Sequence, residues 1–209
     1  MNDSTKAVLL LVAAGVVLFT GWKLMARPGT KALRKAKRVA CLGDSLTHAG
    51  LYCGDLAAYV GASAKAFGYE GQGTGAIGSH VDDVLDWSPE AVVVLAGVND
   101  LRSHSGAQTA ISGLTKIYAK IHEAGLPVVA VEILPWHGYF DAKGWEENTR
   151  IVNTWIRREA NVEAFVRTSS MGNSEGRLLP EYDDGSHLHL NRAGQGELAS
   201  LIAEQAFGR

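Results

Sequence analysis

A serine hydroxyl attacks a carbonyl only where a base can take its proton and the chain holds it in the open. The run Leu42-Gly43-Asp44-Ser45-Leu46-Thr47 offers such a place. Arg38-Val39-Ala40-Cys41-Leu42 reads as a short buried strand, and Gly43 lets the chain turn where a bulkier residue would clash. Ser45 is thus a candidate nucleophile at the C-terminal end of a strand, facing the crevice where open α/β sheets bind ligands. The tripeptide Gly-Asp-Ser equally suits an ordinary strand-to-helix turn with Asp44 or Ser45 as N-cap. Three later blocks add chemistry: Gly75-Ala76-Ile77-Gly78, then Gly97-Val98-Asn99-Asp100, then Asp183-Asp184-Gly185-Ser186-His187-Leu188-His189-Leu190-Asn191-Arg192-Ala193-Gly194. His187 and His189 alternate on an extended segment and point to opposite sides, and no Cys/His pair has metal-site spacing, so no metal is expected.

The elements that must position these residues alternate apolar runs with helical patterns, the signal for an α/β fold with a parallel sheet and crossover helices. Residues 51–63 read as a helix and 64–70 as a weak second strand. Ala91-Val92-Val93-Val94-Leu95-Ala96 is the clearest strand, bounded by Ser88-Pro89-Glu90 and Gly97. Residues 107–124 form a helix with Ile111, Leu114, Ile117, Tyr118 and Ile121 on one face and Gly125 as its stop. Residues 127–134 give a fourth strand ended by Pro135. An amphipathic helix over 145–160 follows through Ile151, Val152, Trp155 and Ile156, then a strand near 163–168 and a last helix over about 191–206. Trp136 and His137 come at the same sheet end as Ser45, where they either line an acyl pocket or, for Trp136, pack in the core.

Taken in this order, the four blocks resemble the SGNH/GDSL hydrolase family over about residues 38–207. The resemblance implies a three-layer α/β/α sandwich around a parallel sheet of about five strands, and a serine ester hydrolase that needs no cofactor. It implies an oxyanion hole of the Ser45 N–H, the Gly78 N–H with Gly75 as fallback, and the Asn99 side-chain amide. The asparagine that usually precedes the glycine is missing here. For the base, two frames compete. Asp184-Gly185-Ser186-His187 has the family's Asp-x-x-His spacing, whereas His189-Leu190-Asn191-Arg192-Ala193-Gly194 fits the tail of its motif. Choosing His189 puts Ser186 where the family has aspartate, leaving Asp184 as the orienting carboxylate or a Ser-His dyad. The substrate implied is a small-molecule or lipid ester. An acyl- or acetyltransferase, or a non-catalytic structural protein on the same fold, are the other readings.

The whole chain of 209 residues has a net charge of −2, which hides an asymmetry. Residues 1–38 carry eight Lys/Arg against one acid, and residues 39–209 carry twelve against twenty-one. An acidic body argues against nucleic acid as partner. Ala7 to Trp22 is uncharged and reads as an N-terminal hydrophobic helix that anchors the chain in a membrane. A cleaved signal peptide and a helix buried in a larger assembly are the rivals; against the first, the lysine before the run is offset by Asp3 and no small-x-small site closes it. Residues 1–37 are accordingly assigned to anchor and basic linker, and 38–209 to the hydrolase domain. Lys23, Arg27, Lys31, Arg34, Lys35, Lys37 and Arg38 follow the apolar run, so the positive-inside rule keeps the domain in the cytoplasm. Only two cysteines occur, Cys41 in the first strand and Cys53 in the following helical stretch; a disulfide between them stays open, and in that reducing compartment Cys41 is expected as a buried free thiol. Gly73-Thr74-Gly75-Ala76-Ile77-Gly78 matches G-x-G-x-x-G, with Asp100 as the ribose acid, but its preceding strand is poor and its following helix short. Dinucleotide binding is therefore set aside.

Overall fold

The computed structural model describes residues 30–103, 105–139 and 145–209. The first elements are α1 (Thr30–Leu33), β1 (Arg38–Gly43), α2 (Ser45–His48), α3 (Leu51–Val60) and β2 (Ser63–Gly68). Next come α4 (Thr74–Gly78), α5 (Val81–Asp86), β3 (Ala91–Leu95), α6 (Val98–Arg102) and α7 (Gly106–Glu123). The chain continues through β4 (Val128–Val131), α8 (Trp145–Arg158), β5 (Ala164–Val166) and α9 (Arg192–Ile202), which runs on as a π-helical turn over Ala203–Phe207.

The five strands form one parallel sheet in the order β2-β1-β3-β4-β5. Every residue of β3 and β4 is buried, as expected of strands covered on both faces. The chain moves one way from β1 to β2 and the other way from β2 onward. With right-handed crossovers, α3 then lies on one face, and α4, α5, α7 and α8 on the other. The packing agrees: α9 returns to lie on α3, and α7 lies against α4, α5 and α8. This is a three-layer α/β/α arrangement. Strand order reverses between β1 and β3, which opens a crevice at their C-terminal ends.

The amphipathic pattern of α7 buries Leu114, Ile117, Tyr118 and Ile121 as its spacing predicts, while Ile111 is only partly buried against the core and Ala110 is buried beside it, before the left-handed Gly125 ends the helix. Three expectations need correction. Ile151 of α8 is exposed, because the buried stripe runs through Thr149, Val152 and Ile156, with Trp155 stacked on Tyr118 at 6.1 Å. Leu33 and Ala36, read as linker, are buried in the core, so packing begins before residue 38. Cys41 is not a free thiol: it is disulfide-bonded to Cys53, whose Cα lies 6.2 Å away because α3 packs beside β1. The apolar anchor lies outside the described residues. Among the described residues no helix is long and apolar enough to cross a membrane.

Candidate active site

Gly43 ends β1 where no side chain fits: a Cβ there would stand 2.2 Å from the Leu95 carbonyl oxygen and 2.3 Å from Thr47 Oγ1. The chain turns at once into α2, with Asp44 as N-cap accepting from the Leu46 N–H at 3.0 Å. The capping role falls to Asp44, and Ser45, the candidate nucleophile, is the residue after it. As the first residue of α2, Ser45 has an N–H with no intrahelical acceptor, which leaves it free to serve the crevice. Asp44 is fully buried, its Oδ2 has no partner among the described residues, and burial pushes its carboxyl up to about 7, with the nearby Asp100 adding to the rise.

Ser45 Oγ lies 3.0 Å from His189 Nε2, across 144 residues of sequence. Contacts between α3 and α9 set that distance. Tyr52 N–H donates to Gln195 Oε1 at 3.1 Å, and Arg192 Nη2 meets Asp55 Oδ1 at 2.7 Å. Asn191 caps α9 by accepting from Gly194 N–H, while its amide donates to the carbonyls of Glu181 and Asp183. The loop bearing His189 is therefore clamped at its base.

His187 does not join this pair. It is exposed, has φ of +62°, and its Nδ1 binds Asp183 Oδ2 at 2.6 Å. Burial alone would raise the Asp183 carboxyl, but the N–H groups of Gly185 and His187 and the His187 ring outweigh it and hold it low. Asp184 does not orient the imidazole either. It is exposed, and its Oδ1 accepts the Ser186 N–H at 2.9 Å. The group on His189 Nδ1 is the Ser186 hydroxyl, at 3.3 Å.

Asn99, buried just beyond β3, follows Gly97, whose φ of +121° only glycine adopts freely. Its Nδ2 donates to the Gln72 carbonyl at 3.1 Å, leaving its second N–H unused by that bond. The crevice edge beside Asn99 is thus the 71–73 turn. Gly78 is five residues further, at the last position of α4, where a Cβ would face Ile117 of α7. Inside a helix the N–H of residue i is committed to the carbonyl of i−4, so Gly78 is not placed as a crevice donor, whereas Gly75, the second residue of α4, has an N–H with no intrahelical acceptor. The residue that sequence reasoning missed here is Asp100 in its actual role. It accepts the Thr74 N–H at 2.9 Å and the Thr74 hydroxyl at 3.0 Å, pinning the turn, so it is engaged within the fold and not poised for a ribose. Trp136 is core, stacked on Trp145 at 4.6 Å and donating to Thr149. His137 lines a cavity of about 220 Å³ with Glu132, Asn153 and Arg157.

The site thus joins a three-layer α/β fold to a serine and a histidine paired at the strand ends, with an amide beside them. Residues 41–196 match the GDSL-like lipase/acylhydrolase family model, and the chain belongs to that family, a carboxylic ester hydrolase of the GDSL type. A member of the lipolytic protein G-D-S-L family from Veillonella parvula is similar in structure, with TM-score 0.69 and 16% identity over 82% of this chain and 98% of that one. A GDSL-like lipase from Bacteroides thetaiotaomicron has TM-score 0.67 and 22% identity over 88% and 93%. Esterase EstA from a Pseudoalteromonas species, solved with monoethylphosphonate as inhibitor, has TM-score 0.60 and 17% identity over 81% and 96%. No curated protein matches the chain in sequence.

Proposed function

We propose that the chain cleaves a small-molecule or lipid ester through an acyl-enzyme on Ser45. His189 Nε2 takes the Ser45 proton, Ser45 Oγ bonds to the ester carbonyl carbon, and the proton passes to the departing alcohol. Water then attacks the acyl group, gives its proton to His189, and Ser45 regains one on release of the acid. The oxyanion is held by the Ser45 N–H, the free N–H of the Asn99 amide and a peptide N–H of the 71–73 turn, which replaces Gly78 in this role. The observation that carries the reading is the 3.0 Å contact between Ser45 Oγ and His189 Nε2.

The test is hydrolysis of p-nitrophenyl esters from acetate upward by the wild type, Ser45→Ala, His189→Ala and His187→Ala. Turnover should vanish with Ser45 and with His189 and survive loss of His187, and the series reports the preferred acyl length. Equal turnover in Ser45→Ala refutes the acyl-enzyme. Adding excess alcohol separates hydrolysis from transfer, since a transferase would divert most of the acyl group to the alcohol.

A further inference from the structure

Where this family's motif has an acid three residues before the base, this chain has Ser186, and its contacts set what it can do. Ser186 Oγ accepts the His189 N–H at 2.9 Å and the Leu188 N–H at 3.3 Å, and stands 3.3 Å from His189 Nδ1. The neighbouring acids are occupied elsewhere: Asp184 Oδ1 takes the Ser186 N–H, and Asp183 takes the N–H groups of Gly185 and His187 and the His187 ring. A hydroxyl has two lone pairs and one proton, whereas a carboxylate only accepts. For Nε2 to accept the Ser45 proton, Nδ1 must already carry one, and Ser186 Oγ must receive it as a third donor. The opposite arrangement, with the Ser186 O–H donating to Nδ1, leaves both backbone bonds intact. It also places a proton on Nε2, where it points at Ser45 and the ring cannot act as base.

We infer that Ser186 is the positioning residue for His189 and that its hydroxyl divides the imidazole between a competent and an incompetent tautomer, so that the site turns over below what its scaffold allows. The inference rests on His189 being the base for Ser45. It also holds that the imidazolium formed during attack is met by a dipole in place of a charge. Among the described residues, the other titratable groups near the pair do not supply that charge. On the α2 side these are Asp44, buried beneath the turn, and His48, whose ring is bonded to the Gly68 carbonyl; at the α9 side Arg192 is paired with Asp55.

The experiment is kcat and KM against pH for p-nitrophenyl acetate with the full chain, comparing wild type, Ser186→Ala, Ser186→Thr and Ser186→Asp, with Ser45→Ala as background. Ser186→Asp supplies an acceptor that fixes the Nδ1–H tautomer. Its plateau kcat should rise about tenfold or more, and its acid limb should move up by about 1 pH unit because the carboxylate stabilises imidazolium. Ser186→Ala should lose roughly tenfold in kcat with KM little changed, and Ser186→Thr should retain most activity. A Ser186→Asp variant at or below wild type with an unmoved acid limb overturns the inference. Nitrogen-15 spectra of His189 in the wild type test it without turnover: both ring nitrogens should show partial protonation, and a pure Nδ1–H signal refutes it. If no Ser45-dependent turnover is found, the hydrolase reading fails by itself, and the spectra still decide the role of Ser186.

Discussion

Asp44 sits directly beneath the nucleophile with a carboxyl buried and half unpartnered, and its effect on stability can be worked out in sign and size. In the folded protein its proton is held up to about pH 7, against an ordinary value of 3.8. Between those values the folded state binds more protons than the unfolded chain, so stability falls as pH rises. The gap of about 3 pH units corresponds to roughly 4 kcal/mol in all, of which about 3 kcal/mol is lost between pH 5 and pH 9. Asp44→Asn carries no such titration. Its carbonyl oxygen can still accept the Leu46 N–H, while its amide nitrogen lacks an acceptor where Oδ2 now lies, a cost of about 1–3 kcal/mol. At pH 5 that cost and the loss already suffered by wild type nearly cancel. At pH 9 the variant should be more stable than wild type by roughly 2–3 kcal/mol. Urea unfolding of both proteins at several pH values measures the difference, and other titrating groups drop out because they are common to both. A difference that stays flat from pH 5 to 9 would refute the argument that Asp44 is neutral because it is buried.

Three further outcomes are expected. Asn99→Ala should lower kcat by about 100–1000-fold with little change in KM, since its amide is assigned to the oxyanion and not to the ground state; steady-state kinetics on an aryl ester checks it. Asp100→Ala releases both Thr74 bonds and should cost about 10–100-fold in kcat by letting the 71–73 turn drift, with thermal melting run alongside to separate misplacement from unfolding. Cys41 and Cys53 should resist alkylation in denaturant until a reductant is added, read as mass change. Such bonds persist in oxidising compartments, and alkylation without a reductant would refute the bond.

What was legible in the sequence was whatever a local pattern determines. Val92 to Leu95 are apolar without a break because parallel strands in a covered sheet have no wet face, and α7 announces itself by its 3.6-residue stripe and its terminal glycine. Leu33 and Ala36 were not legible. A leucine and an alanine three apart among cations look like a solvated linker, whereas the chain's last turn over Ala203–Phe207 comes back against α1, which ends at Leu33. The Cys41–Cys53 bond depends likewise on how α3 lies against β1, which spacing alone does not fix.

The site divides the same way. Ser45 and Asn99 follow strong strands and glycines that tolerate no substitute, so their place at the crevice could be inferred from a few neighbouring residues. The glycine-rich run could not be registered, because the five glycines from Gly68 to Gly78 fit several frames and their differences lie in φ and in hydrogen bonds. What resolves the frame is Asp100, a residue 26 positions away from Thr74 that pins the helix start and leaves the 71–73 turn facing Asn99. The choice between His187 and His189 has a similar cause. Both are three residues from an acid or its replacement, and the clamp that decides between them is Asn191, which fixes the start of α9 and with it the side from which the imidazole approaches Ser45. The residue that completes the base is then Ser186, set by position in the loop and not by acidity, which is why a search for carboxylates passes it over.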